Sequence, residues 1–276
     1  MSRNGQIHFD PEGRPLPGPA HPVVGYARSY PDGHRVPLHE HAHAQLLYAC
    51  AGLMRVETRG ETGAGVWVVP PQRAVWIPAR TPHEVTMVGP AEMRSLYILE
   101  DLEGLPGTCQ VIAVSALLRE LIAALSAARL DYAPDGPEAR LVAVILDQLR
   151  TPVVATLHLP IPGAPRLRPI VEAVLADPAD PRGLKDWARV AGASARTLAR
   201  LFETEAGMGF RAWRRQVRLH AALARLSAGE AVTSVAFAVG YDSPSAFIAM
   251  FRRALGTSPR EYLTQEGSLP PRQESA

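Results

Sequence analysis

Between residues 23 and 100 the apolar positions fall in short runs, at 45–50, 53–57, 65–69, 74–77, 83–88 and 93–99, separated by Gly, Pro and charged residues. Runs of this length and spacing predict antiparallel β-strands arranged as a sandwich or small barrel. The period changes after residue 115. Ser115 stands in the position of an N-cap, and the apolar residues over 116–130 recur at helical spacing. Past the turn Ala133-Pro134-Asp135-Gly136, a second helix over 137–149 carries the stripe Leu141, Val142, Ile145, Leu146 and Leu149. Such a stripe serves packing inside the chain or a seam between two subunits.

Residues 159–169, LPIPGAPRLRP, form a Pro-rich connector. Beyond it the spacing predicts helices over 170–176, 184–190, 194–205, 210–227, 232–239 and 243–254, with a short one over 259–263. The expectation is an α+β chain: an antiparallel β domain at 23–110, a helical segment at 111–158 for dimerisation or linkage, and an all-α domain at 170–264. Residues 1–22, rich in Pro and Gly, are expected to be a flexible arm, and 265–276 a disordered tail.

Within the all-α domain, a single motif occurs twice. The first copy reads Ala188-Arg189-Val190-Ala191-Gly192-Ala193-Ser194, then Arg196, Leu198, Leu201 and Phe202. The second reads Ala236-Phe237-Ala238-Val239-Gly240, then Ser243, Phe247, Met250 and Phe251. In each, a small residue four before the glycine lets two helices cross closely, the glycine takes a left-handed turn, and a serine caps the next helix. That is a helix-turn-helix. One copy arises easily by chance; two copies about fifty residues apart point to DNA. The intervening helix over 210–227 spans about 27 Å. A rod of that length holds two recognition helices near the ~34 Å that separates successive major grooves. An ordinary helical domain would leave the repetition unexplained.

Composition narrows the picture without changing it. In 276 residues no apolar run reaches the ~20 that a membrane span requires, and no secretory or transit segment is read at the start. The two cysteines, Cys50 and Cys109, have no metal-binding or redox spacing and fit a reduced cytoplasm. The net charge of +2 is unevenly spread: residues 167–262 carry 14 Arg/Lys against 9 Asp/Glu, and residues 1–160 carry 13 against 16. A basic C-terminal half fits contact with phosphates.

The C-terminal hundred residues resemble regulators of the AraC/XylS family, down to the closing pattern Gly240-Tyr241, Phe247, Phe251-Arg252-Arg253, Gly256-Thr257-Ser258-Pro259 and Tyr262. The resemblance implies a DNA-binding transcription regulator with an N-terminal cupin-type sensor, no enzymatic activity, and double-stranded DNA, a small-molecule effector and RNA polymerase as partners. A homodimer in the cytoplasm, without membrane contact, goes with it, whether the protein is an activator or a repressor.

Arg196 and Arg200 lie at i and i+4 on the first recognition helix, beside Ala195 and Ala199, with Leu198, Leu201 and Phe202 on the opposite face. Arginine bonds guanine O6 and N7 bidentately, so Ser194, Arg196, Thr197, Ala199 and Arg200 are expected to read bases. The alternative is phosphate contact alone. The second recognition helix offers Ser243, Pro244, Ser245, Ile248 and Ala249, which can donate little to a base edge. With Arg252 it is expected to anchor phosphates and touch thymine methyl groups.

Gly33, His39, His41, Gln45 and Gly52 follow the first cupin motif, with Gln45 where that motif has a glutamate; Pro78 and His83 fit the second. Arg80 replaces the usual glycine there, and Met87 the usual asparagine. The resemblance makes His39, His41, Gln45 and His83 a candidate site for a divalent metal such as Zn²⁺, Ni²⁺ or Fe²⁺. Packed histidines, or histidines bonding an organic effector, are the alternative. Tyr48, Trp67 and Trp76 are candidates for lining an effector cavity, and the Pro-rich stretch 69–78 for an edge or mouth. The competing reading of the whole is a metal-dependent cupin enzyme of the dioxygenase type. The absent glutamate and the attached helix-turn-helix pair count against it.

Overall fold

The computed structural model describes residues 16, 21–60, 64–71, 73–150, 154–155 and 157–266. The expected arm and tail lie outside these residues except at 16, 21–22 and 265–266. The chain divides into two compact units, residues 1–158 and 159–276.

The first unit contains β1 (Val23–Tyr30), β2 (Arg35–His39), β3 (Ala44–Thr58), β4 (Gly65–Val69), β5 (Arg73–Ile77), β6 (His83–Ile98) and β7 (Gln110–Ala113). Helices α1 (Ala116–Ala127) and α2 (Pro137–Arg150), the short strand β8 (Val154–Ala155) and β9 (His158–Leu159) at the boundary follow. The hydrogen-bonded path runs β1-β6-β3-β5-β7-β8, with β2 also on β6 and β4 also on β3.

The sheet is organised by two long strands that pair along their length, β3 and β6. The first half of β3 also pairs with β5 and the second with β4; β2 takes the first half of β6 and β1 the second. The runs 45–50 and 53–57 are therefore one strand, and so are 83–88 and 93–99. This corrects the expected six separate strands. Gly52, Gly89 and Pro90 produce bends and register shifts in continuous strands instead of turns. Gly52, at φ +75°, is required: a Cβ there would lie 2.3 Å from the Pro90 carbonyl oxygen.

On one face of this sheet Val23, Ala44, Leu46, Tyr48, Ala74, Trp76, Leu96, Ile98 and Ile112 form a core with α1 and α2. Ser115 caps α1 by accepting from the Leu118 N–H. The helix crosses β1 closely at Gly25, where a Cβ would meet the Ser126 backbone at 2.9 Å. The α2 stripe of Val142, Ile145, Leu146 and Leu149 is buried in this same core, with Leu141 half-buried against it. Packing inside the chain consumes the face that could have formed a dimer seam.

The second unit holds α3 (Arg168–Ala176), α4 (Leu184–Val190), α5 (Ala195–Ala206), α6 (Phe210–Ser227), α7 (Val232–Ala238), α8 (Pro244–Leu255) and α9 (Pro259–Glu266). The 18-residue α6 buries Phe210, Trp213, Val217, Leu219, Leu223 and Leu226. The Pro-rich stretch is not a free tether: Trp213 Nε1 donates to the Pro160 carbonyl at 2.8 Å, and Leu159 and Leu167 are buried. No helix among the described residues is long and apolar enough to cross a membrane.

Candidate DNA interface and sensor site

The two turns share the same closing bond and the same cap. In α4–α5, Gly192 has φ +58° and the following Ala193 N–H donates to the Ala188 carbonyl at 3.1 Å. In α7–α8, Gly240 has φ +82° and the following Tyr241 N–H donates to the Ala236 carbonyl at 3.0 Å. This is a helix end closed through a left-handed glycine. Ser194 Oγ then accepts from the Thr197 N–H, and Ser243 Oγ from the Ala246 N–H, starting α5 and α8. Leu198 and Phe202 of α5, and Phe247 and Phe251 of α8, are fully buried.

The opposite face of α5 carries Ser194, Arg196 and Arg200, all exposed, with Thr197 and Ala199 half-buried beside them. Neither guanidinium has an ion pair or hydrogen bond among the described residues. On α8, Ser245, Ala249 and Arg252 are exposed, while Ser243, Pro244 and Ile248 are half-buried. The adjacent Arg253 is exposed too.

Two arginines of α6 have a role that the sequence did not reveal. Arg214 donates from Nη1 to the Arg182 carbonyl at 2.9 Å, and Arg218 from Nε to the Pro178 carbonyl at 3.0 Å. Arg218 also lies over the Tyr241 ring, 5.4 Å from its centre. The loop they hold precedes α4, and Gly240 sits against it: a Cβ there would lie 2.7 Å from Ala179 Cα and from Arg218 Nη2. The second turn and the loop before α4 are thus braced by one helix. Arg211 and Arg215 remain exposed on α6. Nothing in the spacing of these residues separates braces from free cations.

In the first unit β2, β3, β6 and the segment joining β2 to β3, which carries His41, bring His39, His41, Gln45 and His83 together. One ring nitrogen from each histidine lies within 4.8 Å of the others. Each Nδ1 faces a backbone carbonyl: Pro37 at 2.8 Å from His39, His43 at 2.6 Å from His41, and Thr81 at 2.8 Å from His83. Gln45 Oε1 lies 3.3 Å from His41 Nε2 and 3.1 Å from His83 Nε2, and its amide nitrogen donates to Ser95 Oγ at 2.8 Å. The Tyr97 ring meets His41 edge-on, with centres 5.2 Å apart. Burial holds the His41 ring below the usual histidine range and pushes His83 down to about 3. Arg80, where the cupin motif has glycine, takes φ +56° and donates its N–H to the His41 carbonyl.

The three aromatic candidates separate. Tyr48 and Trp76 lie in the core beneath α1 and α2, opposite in strand parity to Gln45. Trp76 Nε1 donates to the Pro106 carbonyl. Trp67 pairs across β3 with Val56, donates to Thr58 Oγ1, and stacks on His158 with ring centres 4.0 Å apart. Thr58 in turn pairs with His83, so Trp67 alone shares the histidine side.

Known proteins match both halves. An AraC-like ligand binding domain matches residues 21–145, and a helix-turn-helix domain matches residues 187–265. The HTH-type transcriptional regulator NimR of Escherichia coli is 36% identical over 235 residues, 85% of either chain. The chain belongs to the AraC family of transcription regulators. RipA of Corynebacterium glutamicum, an HTH-type transcriptional regulator, is 32% identical over 105 residues, 38% of this chain and 32% of that one. ToxT of Vibrio cholerae is 11% identical over 88% of this chain and 98% of its own, at a TM-score of 0.38.

This AraC-family regulator has an N-terminal sensor domain that binds a small effector and a C-terminal domain that binds DNA. Whether its histidines suit a metal is a question of donor chemistry. Carbonyl oxygens only accept, so each Nδ1 carries a hydrogen, and a ring in its neutral form presents its lone pair at Nε2. Carbonyl partners of this kind orient histidine ligands around metals. The donors fit a borderline ion of the zinc, nickel or iron(II) kind.

Proposed function

We propose that this regulator reads its operator chiefly through Arg196 and Arg200 of α5, and that α8 anchors the complex through Arg252 and contact with thymine methyls. The observation that carries this is the pair of exposed, unpartnered guanidiniums one turn apart on a Ser194-capped helix. Ser194, Thr197 and Ala199 line the same surface, and Ser243, Pro244, Ser245, Ile248 and Ala249 the corresponding one on α8. Bracing of the second turn and of the loop before α4 by one helix favours two recognition helices presented together rather than independently.

His39, His41, Gln45 and His83 would hold a divalent metal in the sensor domain. When bound, the ion supplies a Lewis-acidic point for an oxygen or nitrogen of the effector. Trp67 would border that site; Tyr48 and Trp76 belong to the helix-covered core. The reading contains no catalytic step. It includes action in the cytoplasm, contact with RNA polymerase at promoters, and a homodimer formed through a surface other than the buried α2 stripe.

The test is binding to DNA upstream of the protein's own gene, measured against a library of single-base variants. Arg200→Ala should cost about 1–3 kcal/mol and relax preference at one position, whereas Arg252→Ala should weaken all sequences alike and reduce the salt slope by about one. Uniform weakening by Arg200→Ala, with relaxed specificity in Ser245→Ala, would reverse the assignment.

A further inference from the structure

We propose that Gln45 is a rotating amide that fits the histidine cluster both with and without a divalent metal ion, so that the sensor domain folds in either state and loads metal reversibly. The proposal rests on reading His39, His41 and His83 as metal ligands.

The backbone decides where the ring protons are. The carbonyls of Pro37, His43 and Thr81 fix the hydrogen of each ring on Nδ1. No carboxylate joins the group, so among the described residues no donor brings a negative charge. Gln45 Oε1 then sits 3.3 and 3.1 Å from two bare lone pairs, those of His41 and His83 Nε2. Three acceptors facing one another repel. Two arrangements relieve this. A cation among them takes every lone pair at once. Without a cation, a half-turn of the amide brings its NH₂ to the same place and gives each ring one N–H.

Ser95 makes the half-turn cheap. Its Oγ lies 2.8 Å from the outer amide atom. A hydroxyl accepts from NH₂ in one orientation and donates to the carbonyl oxygen in the other. Glutamate at position 45 would lack this second state, because an ionised carboxylate has no hydrogen to give the rings. It would set a charge against the lone pairs without metal, and add a favourable charge with metal.

The experiment uses the full-length protein, stripped with a chelator or saturated with Zn²⁺, and compares melting of wild type, Gln45→Glu and Gln45→Leu. The expected result is a crossing: Gln45→Glu melts below wild type without metal and above it with zinc. Its zinc affinity rises about tenfold or more, and Gln45→Leu loses about tenfold or more while melting below wild type in both states. Visible Co²⁺ absorption reports ligation by the histidines directly. If Gln45→Glu does not fold without metal, Ser95→Ala is the second variant: because the hydroxyl serves both amide orientations, it should melt below wild type both with chelator and with zinc, while promoter binding by the C-terminal domain is unchanged. The same melting order for Gln45→Glu and wild type in both states, or a Ser95→Ala that melts below wild type in only one of the two states, overturns the amide's role and leaves the metal reading intact. Wild type that takes up neither Zn²⁺ nor Co²⁺ at millimolar concentration overturns both.

Discussion

Gly192 and Gly240 hold the same place in the two motifs, yet alanine should be tolerated at one and not at the other. Both have positive φ, +58° and +82°. A Cβ in the left-handed region costs about 1–2 kcal/mol. Alanine also stiffens the unfolded chain, which returns about 0.4–1 kcal/mol. Around Gly192 nothing lies within 4 Å of the added carbon, so the net loss there should be about 1.6 kcal/mol or less. At Gly240 the carbon would overlap Ala179 Cα and Arg218 Nη2, each at 2.7 Å. The arginine can swing aside; the backbone of Ala179 cannot. Overpacking of this kind adds about 1–3 kcal/mol. For a unit of this size each kcal/mol shifts the midpoint by about 3–8 °C. Scanning calorimetry of the full chain should therefore show Gly192→Ala within a few degrees of wild type. Gly240→Ala should lower the transition of the C-terminal unit by about 10 °C or more. Adding Arg218→Ala should not restore it, because the clash with Ala179 stays. Indistinguishable shifts for the two single variants would refute the idea that α6 and the loop before α4 brace the second turn.

Other expectations follow from burial. Cys109 is buried and burial pushes its thiol up to about 12, while the half-buried Cys50 is raised less decisively. Iodoacetamide at pH 8 should label Cys50 slowly and Cys109 only after unfolding; native labelling of both at one rate, read by mass spectrometry, would contradict this. The rings of His41, His83 and His158 are held below the ordinary histidine value, chiefly by burial. Above about 6.5 they are neutral folded and unfolded, so they add no pH dependence. As pH falls below that value the unfolded chain takes up protons that the folded one resists, and stability is lost, for His83 down to about 3. With chelator present, the N-terminal unit should melt lower at pH 5 than at pH 7, and less steeply so in His158→Asn; a flat profile would count against buried neutral rings. Trp213→Phe removes the donor to the Pro160 carbonyl and should cost about 1–3 kcal/mol, read as a lower melting point of the C-terminal unit.

Helices were more legible than strands, for a physical reason. A helix is closed by neighbours in sequence, so period, cap and stop signal are all local. The expected helix over 210–227 coincides with α6, and Ser194 and Ser243 cap the helices they were expected to open. Strands are closed by distant partners. β1 and β2 were missed because their exposed residues, such as Arg28 and Arg35, hide the apolar alternation. Gly52 and Gly89-Pro90 read locally as turns, but pairing across β3 and β6 made them bends.

The same distinction separates what was legible in the two sites. Arg196 and Arg200 could be placed together because one helical turn puts them there, whereas the strand alternation expected for His39 and His41 does not apply, since β2 ends at His39 and His41 lies in the connection to β3. Ser95, fifty positions from Gln45, could not be paired with it, since only the register of β3 on β6 sets Leu47 beside Ser95 and Gln45 beside Tyr97. Nor could Arg218 be told from Arg215 on α6. Both are basic, on one helix and three residues apart, but only Arg218 reaches the Pro178 carbonyl and the Tyr241 ring. Those long-range partners decide function here. They determine whether an arginine is free to meet a phosphate or is committed to the fold, and whether an amide near three histidines is inert packing or a fourth donor.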